Sequence, residues 1–346
     1  NTRIYQLIFI RPMNFSVVTE LNFCSNVTCE DPEWTPSSVL LYACVAVLIS
    51  LTVCGNLLVI ISISHFKQLH TPTNFLILSL ATADMMVGVT VMPIHFISSS
   101  LCLHVSKIFC YVCLLCPSHF TFLSIYNVSF ISLDRWYALC YPLQYSIKVT
   151  SKCMSIAICL KWLISFSYNL TFIYFNGTAT TDTLCFRDCS AVAEGVWSVI
   201  DLFLVFVFPC SVIMVSYIKI FAIARKHAKS IQCSRGQHIP RNKKHGESVS
   251  KASERKAATT LGILVIVFVT CLLPYFLCVE LSHFIPYPII GYVFDGSLTV
   301  LYLNSTINPI IYALFYPWFR ICARIILMFR IFNPDSSLIN VLTKSR

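Results

Sequence analysis

Apolar residues gather in seven long blocks, near 38–64, 74–99, 107–135, 153–175, 195–224, 257–284 and 290–314. Each is roughly 20 residues or longer, enough to cross a ~30 Å hydrocarbon core as a helix. The connections between blocks are mostly short, so the pattern predicts one all-α seven-helix bundle over 38–316 rather than several domains. Residues 1–37 precede it, and 317–346 follow as a short amphipathic helix and a tail. The informative polar positions lie inside the blocks. The last one closes on Asn304-Ser-Thr-Ile-Asn308-Pro309-Ile-Ile-Tyr312, where lone polar groups are expensive because lipid offers no hydrogen bonds. Pro309 removes one backbone hydrogen bond, which predicts a hinge whose neighbouring Asn and Tyr side chains hold waters or pair with other helices.

Composition agrees: 57% of residues are hydrophobic, 12% are charged and the mean hydropathy is +0.74. Charge sets the orientation. Of 25 Lys and Arg, only Arg3, Arg11, Lys107 and Arg187 flank one side of the predicted bundle, and Lys161 falls within a block. The rest crowd the other side, above all over 225–256 and the tail. By the positive-inside rule the N-terminus is outside and the tail is cytoplasmic, in a multi-pass protein of the plasma membrane surrounded by lipid. The net charge of +10 is then a topology signal, and no nucleic-acid partner is expected. The first 36 residues lack a cleavable apolar core, so the first block is expected to serve as its own insertion signal. Met13 stands as a natural start, which would set residues 1–12 apart as an artefact or a fragment edge.

Other classes of membrane or catalytic protein leave marks absent here. A transporter reading needs substrate-binding broken helices in repeated halves, and 38–175 and 195–314 show no such repeat. No Cys/His pair, His-rich metal spacing or Gly-rich phosphate loop sits where an enzyme would need it. Cys24, Cys29, Cys185 and Cys189 fall in predicted outside segments and Cys110 opens the third block, in the compartment where disulfides persist. Asn14, Asn26 and Asn176 head outside N-glycosylation sequons. Asn127 and Asn304 match the same pattern inside helices and are expected to stay unmodified.

Each block carries one anchor: Gly55-Asn56, Leu80-Ala-Thr-Ala-Asp84, Cys110 with Asp134-Arg135-Trp136, Trp162, Pro209 with Tyr217, Cys271-Leu-Leu-Pro274, and the string from Asn304 to Phe319. Together they resemble the rhodopsin-like G-protein-coupled receptors, and the last string resembles the fingerprint of the trace amine-associated receptors. The resemblance implies a receptor for small amines, olfactory and sited in cilia of sensory neurons, that raises cyclic AMP through a heterotrimeric stimulatory G protein. It assigns Asn56, Asp84, Asn304 and Asn308 to a site for water and an internal sodium ion. Asp134, Arg135, Tyr217, Glu254, Phe268, Pro274, Asn308, Pro309 and Tyr312 become switch residues, with Arg135 paired to Glu254 at rest and Tyr217 meeting Tyr312 on opening. Pro209, Ile125 and Phe268 would connect the pocket to the switch, with plain core packing as the alternative. Cys110 would bond Cys189, leaving Cys185 for Cys24 or Cys29.

The ligand site departs from the family pattern. Amine receptors carry an Asp seven residues after the helix-three Cys, and here that position is Pro117. An acid appears instead at Asp201, eight residues (~12 Å of helix) before Pro209, where a subgroup of these receptors has its amine-binding acid. Such a carboxylate needs a partner cation, either a ligand ammonium or Arg187 folding inward. The second partner would leave a receptor for a non-amine odorant. Ser118, Tyr275, Phe276 and Tyr302 align with the pocket lining, and ring faces attract ammonium groups. Leu272 stands where the family has its helix-six Trp.

Overall fold

The computed structural model describes residues 6–7, 35–100, 104–177, 183–185, 191–192, 196–234, 244–281 and 287–342. Asn14, Asn26, Cys24, Cys29, Arg187 and Cys189 therefore lie outside the described residues.

Seven helical spans follow the seven apolar blocks. They are α1 (Pro36–His65), α2 (Pro72–Met86, a π turn Val87–Val91, then Met92–Ser100), α3 (Lys107–Cys140) and α4 (Ser151–Asn176). Then come α5 (Val196–Asp201, a π turn Leu202–Val207, then Phe208–Ser234), α6 (Lys244–Leu281) and α7 (Tyr287–Phe315). Among the described residues six helices are long and apolar enough to cross a membrane, and α6 contributes the shorter apolar segment Val265–Leu281. Local chemistry sets several starts. Thr71, Ser106 and Thr150 cap α2, α3 and α4 by accepting the backbone N–H of Asn74, Phe109 and Cys153, satisfying donors that the first turn leaves orphaned.

Three helices outrun the apolar blocks. α3 continues to Cys140, α5 to Ser234, and α6 begins at Lys244 rather than near 257. Hydropathy marks the membrane edge, whereas Ala-, Lys- and Arg-rich segments keep good helix propensity in water. Two short antiparallel ribbons were not expected from the pattern. β1 (Gln6–Leu7) pairs with β4 (Ala191–Val192), and β2 (His104–Ser106) pairs with β3 (Thr183–Cys185), placing Cys185 opposite His104. Strands this short carry no alternation to read.

α3 is the hub, packed against α2, α4 and α5, while α7 closes the bundle between α6 and α1. Lipid-facing positions such as Leu40, Leu51, Leu163, Ile164, Phe203 and Ile310 are exposed, and Leu80, Leu123, Ile213 and Phe268 are buried between helices. α8 (Pro317–Leu327) then buries Trp318, Phe319 and Cys322. Its Arg320 donates to the carbonyls of Ala313 and Leu314, both at 2.9 Å, closing the C-terminal end of α7.

Two prolines leave backbone carbonyls that other helices take up. Pro309 has no N–H for the carbonyl of Ser305, and Asn56 of α1 donates its side-chain amide there at 3.0 Å. In α5 the wider π turn sets Leu204 opposite Pro209, and the Tyr126 hydroxyl of α3 donates to the Leu204 carbonyl at 2.8 Å. Both of these irregularities are thus bound across the bundle, as lipid requires.

Candidate functional site

Asp201 closes the first helical segment of α5, where the π turn begins, and is buried. It lines a cavity of ≈ 40 Å³ with Pro117, Ser118, Asn169, Tyr275, Phe276 and Tyr302, among others. The five expected lining residues, Asp201, Ser118, Tyr275, Phe276 and Tyr302, therefore border one space. At ~10–15 Å³ for a water-sized group, that space suits only a few non-hydrogen atoms. The walls are mutually braced aromatics. Phe206 stacks on Phe276 at 4.4 Å between ring centroids, Tyr275 leans on Phe294 at 5.6 Å, and His95 meets Tyr302 edge-on at 5.4 Å.

One partner of Asp201 went unread in the sequence. The Tyr168 hydroxyl of α4 donates to Asp201 Oδ1 at 2.8 Å. α4 announces its inward face through Lys161, Ser165 and Asn169, three polar residues at four-residue spacing that are all buried. Tyr168 sits beside that stripe. No cation contacts the Asp201 carboxylate among the described residues, where Arg135 pairs with Asp134 instead.

Deeper in the bundle Asp84 is fully buried. Ser124 and Ser305 donate to its Oδ1 at 3.0 and 2.9 Å, and Asn308 donates to Oδ2 at 2.7 Å. The expected company of Asp84 is thus redistributed. Asn308 touches it directly, whereas Asn56 turns to the Thr52 and Ser305 carbonyls and leaves its own Oδ1 without a partner. Asn304 lines a neighbouring cavity with Ser124 and Ser305. The two serines take the places given to Asn56 and Asn304, because the carbonyl freed by Pro309 attracts the Asn56 amide. Asp84 and the Ser124 and Ser305 hydroxyls thus bring hard oxygen groups together inside the bundle.

At the inner end Asp134 accepts from Arg135 Nη2 at 2.6 Å, from the Thr73 hydroxyl at 2.8 Å and from Tyr145 of the loop helix Pro142–Lys148 at 2.7 Å. Arg135 also donates to Thr73. Burial holds the Tyr145 phenol above its ordinary pKa, so it remains a donor at neutral pH. The Glu254 side chain lies outside the described ones, so its expected pairing with Arg135 has no geometry. Tyr217 and Tyr312 both bury hydroxyls without a hydrogen-bond partner among the described atoms. Phe268 and Ile125 are buried beneath the pocket, and the Ser129 hydroxyl donates to the Pro209 carbonyl at 3.1 Å. Pro274 lies within α6 and Leu272 is buried two residues before it.

Of the outer features, Cys110 is disulfide-bonded, to a cysteine that is not among the described side chains. Asn176 ends α4 with its amide donating to the Phe172 carbonyl at 2.8 Å, a bond that a glycan on that nitrogen would displace.

The family model of the seven-transmembrane receptors of the rhodopsin family matches residues 55–312. Trace amine-associated receptor 13c of Danio rerio is 38% identical over 317 residues, covering 89% of this chain and 91% of that protein. The chain belongs to the trace amine-associated receptors. Trace amine-associated receptor 1 of Macaca mulatta is 37% identical over 91% of this chain and 96% of its own. Trace amine-associated receptor 6 of Rattus norvegicus is 37% identical over 92% and 94%. The receptor is accordingly a multi-pass plasma-membrane protein and not an enzyme.

Proposed function

We propose that this receptor binds a small amine from outside through Asp201 and answers by activating a G protein at its inner face. One observation carries the reading: a buried carboxylate lines an aromatic cavity, and among the described residues its hydrogen bond comes from a neutral phenol. A charge so placed calls for a cation, and Tyr275, Phe276 and Tyr302 supply ring faces for an ammonium. The relatives' names support amines as the class of ligand. Pro117 on α3, where amine receptors carry their acid, leaves Asp201 to do this alone. Family resemblance is the support for a stimulatory G protein, for cyclic AMP as the signal and for olfactory cilia as the location. The distribution of Lys and Arg supports an outside N-terminus. The buried carboxylate of Asp84, held by Ser124, Ser305 and Asn308, supports a sodium ion there in the resting state.

The test is a panel of mono- and diamines on cells expressing the receptor with a cyclic-AMP reporter. Asp201→Ala and Asp201→Asn should lose at least ~10- to 100-fold in potency at equal surface expression, since a charge-assisted hydrogen bond contributes ~1.5–3 kcal/mol. Tyr168→Phe leaves the charge of Asp201 in place and should cost less than either. Normal amine responses in Asp201→Ala would overturn the reading. If in addition Arg187→Ala destabilised the receptor unless Asp201 were also removed, an internal pair would replace it.

A further inference from the structure

Beneath the Asp201 cavity lies a second one of ≈ 20 Å³, and Thr121, Leu301 and Tyr302 line both. Along α3 the two are joined by one face: Ser118 borders the upper cavity, Thr121 borders both, and Ser124 borders the lower. Three-residue steps rise ~4.5 Å each, so this face descends ~9 Å. The lower walls are apolar, with Val87, Ile125 and Leu272, and its polar groups are Ser124, Asn304 and Ser305. Both serine protons are committed to Asp84 Oδ1. What these two hydroxyls still offer is oxygen lone pairs, so at Ser124 and Ser305 the lower cavity presents hydrogen-bond acceptors.

Resting on the reading of Asp201, we infer that the lower cavity is a subsite for the far end of the ligand, and that it selects amines whose tail ends in a hydrogen-bond donor such as a hydroxyl. The ammonium stays at Asp201, the methylenes follow α3 past Thr121, and the terminal O–H donates to Ser124 or Ser305. Leu272 determines the selection. A branched aliphatic side chain there leaves open a space that an indole would fill, and the chain carries Leu at the position where its family pattern has Trp.

The experiment measures ligand-induced thermal stabilisation of the purified receptor in detergent, which does not depend on coupling. The probes are ω-amino alcohols of three to six carbons, each compared with the n-alkylamine of equal length. At the length that reaches the lower cavity, the alcohol should act at roughly 3- to 10-fold lower concentration, the equivalent of one neutral hydrogen bond. Leu272→Trp should erase that difference while short alkylamines still stabilise. Leu272→Phe, a smaller filler, provides the same reading should the indole not be accommodated. No hydroxyl advantage at any length, or one that survives both substitutions, overturns the subsite and leaves a cavity for water alone. Asp201→Asn separates the two readings. A hydroxyl advantage that is lost in Leu272→Trp but kept in Asp201→Asn upholds the subsite and overturns the role given to Asp201.

Discussion

Lys161 is a cation in the middle of the membrane with neutral company. It is 5% exposed, donates to Asn127 and Ser79, and lies 5.7 Å from the Phe130 ring centroid. The Trp162 indole donates to the same Ser79 hydroxyl at 3.0 Å, so the three helices α2, α3 and α4 meet on one polar knot. The Asn127 amide nitrogen has no partner among the described residues. Lys161→Met alone should destabilise the receptor by ~1–3 kcal/mol, because the Asn127 oxygen is then orphaned too. Adding Asn127→Leu should recover most of that loss, since apolar replacement of both members of a buried polar pair is close to neutral. Thermal denaturation of the four proteins of this cycle in detergent checks it, and a double variant no better than the sum of the singles would show that the knot is needed as built. Residues of this kind are legible in position but not in partner. A Lys within an apolar block must face inward, yet a single sequence does not say which of the polar groups on other helices it meets. Tyr168 escaped notice for the same reason, since a Tyr in an apolar helix looks like packing until Asp201 is placed opposite it.

Helix boundaries follow apolar length, but the irregularities inside helices follow side chains on their neighbours. Pro309 predicted an interruption, whereas the π turns within α2 and α5 have no pattern of their own. The tightest helix contact rests on the absence of a side chain. A Cβ at Gly55 would come within 2.9 Å of the Pro309 ring, closer than any such contact can be, and the ring has no rotamer by which to withdraw. The same approach brings Asn56 to the Ser305 carbonyl. Gly55→Ala should therefore push α1 off α7 and break that bond, costing ~1–3 kcal/mol as overpacking does. Surface expression and melting temperature should both fall. Gly296→Ala, with nothing within 4 Å of the added carbon, is the control and should be neutral. Equal behaviour of the two variants would deny Gly55 its special place.

Across the whole molecule, the seven spans and their order were readable because membrane thickness acts on long stretches of sequence. The network at the inner end was readable only in part: Asp134 and Arg135 stand in the family motif, but Thr73 and Tyr145 come from α2 and a loop helix whose packing no single stretch encodes. Those two hydroxyls tie Asp134, and through it Arg135, to elements that do not belong to α3. Arg135 lies 17 residues of helix from Ser118, ~26 Å along the axis, so inner-end changes should leave ligand affinity alone. Removing one neutral hydrogen bond shifts a two-state balance by ~0.5–1.5 kcal/mol, or roughly 2- to 10-fold in population. Thr73→Val and Tyr145→Phe should each raise basal activity by that factor, because a freer Arg135 is the group a G protein must reach. The double variant should exceed either single one. Energy transfer between tagged receptor and tagged G protein, compared at equal surface expression, reads basal coupling without assuming its subtype. Basal coupling unchanged in the double variant, with the amine response intact, would mean that these hydroxyls hold the loop helix in place and do not restrain the switch.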